Sequence, residues 1–319
     1  MMQARILPPL THPLSLPHLR IESARRAALL GLLLAVSVAL YLRVAMQEEE
    51  PVPRAAPAAA VVPPGPYAGR ITIERDFDYT GADGAALKFD LYAPGDYRQA
   101  AHPLVVWVHG GAWSQGDKAD WPSGEYAEKV AELGFVVLNV NYRLNAPFGR
   151  APFPAAVDDI NAFAGHLRRR MARFGPAGYA PSVSIGGHSA GGHLALYHAT
   201  DPRAPLPLAC VIAISPVTDL GAADMPRSLR PHVDSFAAGD GARLAASPAA
   251  RWRQMRAARV FLAHARDDYT VPFTQSETLL RAAGGAVPVQ QFFPPRGGHA
   301  LGPVQTFAAL GPFLREHCG

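Results

Sequence analysis

Short apolar runs bounded by Gly, Pro or charged residues recur from residue 70 to residue 293, many of them rich in Val, Ile and Phe. The plainest are Leu104-Val105-Val106-Trp107-Val108 and Val260-Phe261-Leu262-Ala263. Together they predict strands near 70–77, 86–92, 103–108, 135–142, 182–187, 208–215, 259–264 and 287–293. Longer stretches between them predict helices near 123–133, 153–173, 190–200, 274–284 and 303–317. After the opening strands helix and strand alternate, so the expected fold class is α/β: a mostly parallel eight-stranded sheet with helices on both faces. In such sheets the ligand crevice lies outside the carboxyl ends of the strands. From Asp219 to Arg256 the periodicity lapses into Pro, Gly, Ala and Arg. Residues 219–256 are expected to form either a short lid or a solvated crossover.

The N-terminus follows another pattern. Ala27 to Leu42 is an uncharged apolar run of 16 residues, flanked by Arg25-Arg26 before it and by Arg43 and Glu48-Glu49-Glu50 after it. Residues 27–46 are read as a signal anchor or signal sequence, with 1–26 a basic cytoplasmic segment and 47–66 a Pro/Ala-rich linker. Arg43 interrupts the small-x-small pattern that a cleavage site needs, so an uncleaved inner-membrane anchor is preferred to export. The globular domain, 67–319, is then expected on the periplasmic or extracellular side. The net charge of +4 resides wholly in residues 1–46, so a basic nucleic-acid-binding face on the domain is not expected. At 319 residues and 49% hydrophobic content the chain can bury one large core. Of its 2 cysteines, Cys210 is read as a small buried residue and Cys318 lies beside the C-terminus; a bridge between them stays open for an oxidising compartment but is not the preferred reading.

Three motifs carry chemistry. Gly187-His188-Ser189-Ala190-Gly191 follows a predicted strand and opens a predicted helix, the context in which a sharp turn holds a serine hydroxyl out as a nucleophile. Upstream, a strand runs into His109-Gly110-Gly111-Ala112-Trp113. The N–H groups of Gly110, Gly111 and Ala190 are candidates for an oxyanion hole. Downstream, Asp268 and His299 follow the seventh and eighth predicted strands, which puts Ser189, Asp268 and His299 in the chain order of α/β-hydrolase triads. His188, His193 and His198 recur every five residues, whereas a helical metal pair wants four, so no metal site is expected.

These stretches resemble the hormone-sensitive-lipase-like and feruloyl-esterase-like carboxylesterases of the α/β-hydrolase superfamily. The likeness rests on HGGAW at 109–113 with Gly116-Asp117-Lys118, Asn141-Tyr142-Arg143-Leu144, Phe153 to Asp159, GHSAGG at 187–192, and Asp268 to Pro272 with Ser276. It covers roughly residues 70 to 318. It implies a serine esterase acting on small-molecule esters through Ser189, Asp268 and His299, with no metal or cofactor. Asp267 is the rival for the place of the triad carboxylate, but the D-x-x-V-P pattern that accompanies it in these families begins at Asp268, so Asp268 is preferred and Asp267 is expected to face solvent. Ala112 departs from the third glycine usual in the lipase-like members. Trp113 and His188 are expected to touch substrate, with Trp121 and Phe148 as further aromatic candidates. Bacterial kynurenine formamidases are similar over the same stretches, so hydrolysis of an N-formyl amide is the alternative. A non-catalytic binding module on the same scaffold would have lost a triad residue, and all three are present.

Overall fold

The computed structural model describes residues 65–319. The expected segments 1–26 and 27–46, and the linker up to residue 64, lie outside the described residues. No described helix is long and apolar enough to cross a membrane.

Eight strands form one sheet: β1 (Ile71–Thr80), β2 (Ala86–Pro94), β3 (Leu104–Val108), β4 (Val136–Val140), β5 (Val183–His188), β6 (Cys210–Ile214), β7 (Arg259–Ala263) and β8 (Val289–Phe292). Their order is β1-β2-β4-β3-β5-β6-β7-β8. β2 pairs antiparallel with both β1 and β4, and every pairing from β4 to β8 is parallel. Every residue of β3, β4, β5 and β6 is buried. Strands covered on both faces need apolar side chains on both, which is why their sequences read as continuous runs rather than alternations.

The helices are α1 (Ser123–Glu132), α2 (Ala155–Arg170), α3 (Ala190–Thr200), α4 (Arg230–Phe236), α5 (Asp240–Ala246), α6 (Thr274–Ala283) and α7 (Pro303–His317). They separate the core into two apolar clusters, one on each face of the sheet. All of α3 is buried, and it lacks the polar stripe of a surface helix. It starts at the end of β5, so the predicted nucleophile turn joins a buried strand to a buried helix.

One expectation is corrected. Cys210 and Cys318 form a disulfide, with their Cα atoms 5.7 Å apart across a sequence separation of 108. The reason is tertiary: α7 packs over β7 and β8, and its end arrives beside the start of β6. A single loop-closing bridge over that span restricts the unfolded chain and, in the chain-entropy model, contributes about 4–5 kcal/mol.

Candidate active site

β5 ends at His188 and α3 begins at Ala190, so Ser189 alone makes the turn between them. Its backbone stands at φ 55° and ψ −120°, a conformation that L residues avoid unless their surroundings impose it. Main-chain bonds hold it there: the Ser189 N–H donates to Ile214 O at 2.8 Å, and Ser189 O accepts from the His193 N–H at 3.0 Å. The flanking glycines have a steric cause. A Cβ on Gly187 would lie 2.5 Å from the Val108 carbonyl oxygen, and one on Gly191 only 2.0 Å from that same oxygen.

Ser189, His299 and Asp268 meet in line. His299 Nε2 lies 2.9 Å from Ser189 Oγ, and His299 Nδ1 lies 2.8 Å from Asp268 Oδ2. The other oxygen of Asp268 accepts the N–H groups of Thr270 and Val271, each at 2.9 Å. His264, fully buried just beyond β7, brings Nε2 to 2.9 Å from Val271 O and 3.2 Å from Asp268 Oδ2. With Nε2 facing two acceptors the ring carries its proton there, and Nδ1 accepts from the Ser276 hydroxyl at 2.7 Å. Burial by itself raises the Asp268 pKa. Hydrogen bonds from His264 and His299, the charge of His299 and the Val271 N–H outweigh it and hold the carboxyl well below the ordinary carboxylate range.

The loop that carries His299 is held by residues the sequence left aside. Asp267 was expected to face solvent, yet its Oδ1 accepts the Gly298 N–H at 2.8 Å. From the other side, His188 Nε2–H donates to the His299 carbonyl at 2.8 Å. Burial, and then the neighbouring His299, lower the His188 pKa to about 3, so its ring is neutral at physiological pH.

The His109–Trp113 loop lies opposite the serine turn. Gly111, Ala112 and Trp113 all have left-handed backbones, with φ of 109°, 48° and 60°. Ala112 therefore occupies a conformation that favours glycine, which accounts for a third glycine in the proteins it resembles. The Gly110 carbonyl accepts from His109 Nδ1 at 2.7 Å. Across the planar peptide, that contact turns the Gly111 N–H to the opposite side. Gly110, Gly111 and Ala112 line a cleft of about 500 Å³ together with Ser189, His188 and His299. Trp121, Leu229 and Thr270 form other parts of its wall.

Trp113 is a correction. It does not line the cleft; it is fully buried, stacked on Phe236 at 4.5 Å, and its Nε1 donates to His193 Nδ1 at 3.1 Å. The left-handed turn that exposes the loop's main chain sends this indole beneath it. Phe148 also stands outside the cleft lining and packs edge-on against His232.

The 219–256 segment holds α4, α5 and a 3₁₀ turn, Ala249–Gln254. It is stitched to the site: His232 Nδ1 bonds Ser114 Oγ at 2.9 Å, Ser235 Oγ accepts from Asn145 Nδ2 at 2.9 Å, and Ala246 O accepts from His193 Nε2 at 2.9 Å. Of the segment, Leu229 reaches the cleft. His193 is thus a buried link between α3, Trp113 and α5, and burial lowers its pKa to about 4. His198 turns elsewhere, to Asn161 Oδ1 at 2.7 Å. Among the described residues, no group of three or more His, Cys, Asp or Glu side chains is arranged to hold a metal ion.

Comparison with known proteins bears on this geometry. A family model described as BD-FAE matches residues 89–282. The chain is 28% identical over 148 residues to a probable carboxylic ester hydrolase, LipM, of Mycobacterium tuberculosis, covering 44% of this chain and 33% of that protein. It is 32% identical over 142 residues to esterase LipC of the same organism, covering 43% of this chain and 33% of that protein. The chain thus spans about a third of the length of these curated relatives. Esterase B from Lactobacillus rhamnosis superposes with a TM-score of 0.65 at 22% identity, over 92% of this chain and 95% of that one, a likeness of fold. The family match runs from β2 to α6, more than half of the chain, and takes in both the serine turn and the Asp268 loop. The chain belongs to the BD-FAE family and has the α/β-hydrolase fold.

Proposed function

We propose that this chain hydrolyses carboxylic esters through an acyl-enzyme on Ser189. The observation that carries the reading is the continuous line Asp268 Oδ2, His299, Ser189 Oγ, with contacts of 2.8 and 2.9 Å. His299 Nε2 accepts the hydroxyl proton as Ser189 Oγ attacks the ester carbonyl, and it returns that proton to the departing alkoxide. Asp268, charged throughout, keeps the His299 proton on Nδ1 and stabilises the imidazolium. The N–H groups of Gly110, Gly111 and Ala190 receive the developing oxyanion, each contributing about 3 kcal/mol of transition-state stabilisation. Water then enters the same cleft, and His299 removes its proton as it attacks the acyl carbon; the bond from that carbon to Ser189 Oγ breaks, the acid departs, and His299 returns the proton to Ser189 Oγ. Relatives named as ester hydrolase and esterase favour an ester over an N-formyl amide as substrate.

The test assays the full chain on p-nitrophenyl acetate, p-nitrophenyl butyrate and N-formylkynurenine, with Ser189→Ala as the blank. Ester turnover that disappears in the blank is the expected result. Dominant formamide turnover would move the activity to the amide. We further propose that residues 27–46 anchor the chain with its catalytic domain outside the cytoplasm. Two features support this: the apolar run, with its basic flank on the N-terminal side and Glu48-Glu49-Glu50 beyond it, and the Cys210–Cys318 bridge, since disulfides persist in oxidising compartments. Protein retained in washed membranes with residues 27–42 intact by mass spectrometry is the expected outcome; a mature chain that starts beyond Met46 would overturn it.

A further inference from the structure

The stretch around His299 has an unusual backbone. Gly297, Gly298 and Leu301 have φ of 157°, 57° and 39°, so residues on both sides of the histidine stand in or near the left-handed region. Such a segment gains no rigidity from a helix or strand of its own. Side chains from distant elements grip its main chain instead. Gln305 Nε2 donates to Arg296 O at 3.1 Å, Asp267 Oδ1 accepts from Gly298 N, His188 donates to His299 O, and the Tyr126 hydroxyl donates to Leu301 O at 2.7 Å. Of these four, only Asp267 is joined to the catalytic acid, since Asp268 follows it directly.

We propose that Asp267 is a positioning residue for the general base: consecutive carboxylates hold one loop, Asp268 by the His299 ring and Asp267 by the peptide N–H just before it. The two bonds are both 2.8 Å long and share one turn at the end of β7. With His188 on the His299 carbonyl and Asp268 on the ring, the peptide before His299 is the unit still free to rotate, and its rotation would tilt the ring and swing Nε2 away from Ser189. Asp267 fixes that peptide at its N–H. The role is that of an acceptor at a fixed place, so the charge of Asp267 is secondary. A misplacement of about 1 Å at a reacting group costs on the order of 100-fold in rate. The inference rests on the proposed function in taking His299 as the base of Ser189.

The experiment compares Asp267→Ala, Asp267→Asn and Asp267→Glu in the full chain by the rate of Ser189 labelling with a fluorophosphonate. It also follows the low-field proton resonance of the His299 Nδ1–H···Asp268 bond. Asn keeps an acceptor oxygen in place without charge, whereas Glu keeps the charge and moves the oxygen by a methylene. Expected labelling is within about threefold of wild type for Asn, with Ala and Glu lower by roughly 10- to 100-fold and their resonance broadened or lost. Glu faster than Asn, or Ala at the wild-type rate with its resonance sharp, would overturn the proposal. Should Ala not fold, the Asn-to-Glu ranking decides. If the wild type turns over no ester, the resonance still reports the position of His299, so the two readings fail separately.

Discussion

The serine turn and the histidine loop face each other across 2.9 Å, yet they are built in opposite ways. Ser189 sits in a turn whose own glycines make it possible: Gly187 and Gly191 admit the close approach of Val108 O, Ile214 O takes the Ser189 N–H, and the turn joins a buried strand to a buried helix. The His299 loop is placed by partners far along the chain: Asp267 lies 31 residues from Gly298, Asp268 31 from His299, and His188 111 from His299. The turn of the proposed nucleophile can therefore be recognised in five residues. The place of the proposed base cannot, because a loop with little structure of its own takes its geometry from whatever packs around it.

The contrast can be broken first at the loop. Asp268→Asn leaves the shape nearly intact but favours the wrong His299 tautomer, and turnover is expected to fall by as much as ~10⁴. Steady-state kinetics with p-nitrophenyl butyrate reads this directly. A loss no larger than that of Asp267→Asn would remove Asp268 from its assigned role.

At the turn the expected damage is to folding itself. Gly191→Ala drives a methyl to 2.0 Å from Val108 O, a backbone atom that cannot step aside. Destabilisation of about 3 kcal/mol or more is expected, in the range of overpacked cores and violated backbone sites. Urea unfolding measures it, and a midpoint equal to that of wild type would show that β3 yields more easily than its burial suggests.

Acid sharpens the same comparison. His188 and His193 are held neutral in the fold, with pKa values lowered to about 3 and about 4, chiefly by burial. Their unfolded values are near 6.5, so below that pH the unfolded chain binds protons that the folded chain refuses. Stability is then lost as pH falls from about 6.5 toward 4, by at most ~1.4 kcal/mol per pH unit for each ring. Asp268 behaves otherwise. Its folded pKa is depressed, so its contribution is present above the ordinary carboxylate range and disappears only as pH falls below it. Melting temperatures recorded from pH 7 to pH 3 should decline in the histidine window first; a flat profile down to pH 4.5 would contradict the buried neutral assignment.

Much of this architecture is legible from the residues. Each of the eight predicted strands overlaps an observed one, and the helices at 190–200 and 303–317 have the predicted bounds, because buried parallel strands and their covering helices are written in local apolar runs. The turn at Ser189 is legible for the same kind of reason: its glycines and serine lie within five residues. What the chain pattern does not contain is direction. Trp113 shares a loop with residues that line the cleft, but a φ of 60° turns it inward onto Phe236 and His193.

By itself, then, the sequence determined the strands, the order of helix and strand, the strained serine turn and the three residues of the proposed triad. Tertiary structure decided the Cys210–Cys318 bridge, the burial of Trp113, the support of Asp268 by His264 and Ser276, and the grip of Asp267 on Gly298. The division has one physical cause. Periodicity and glycine spacing report the fit of a segment to its own backbone, whereas these other contacts depend on where separate segments end after the sheet has assembled.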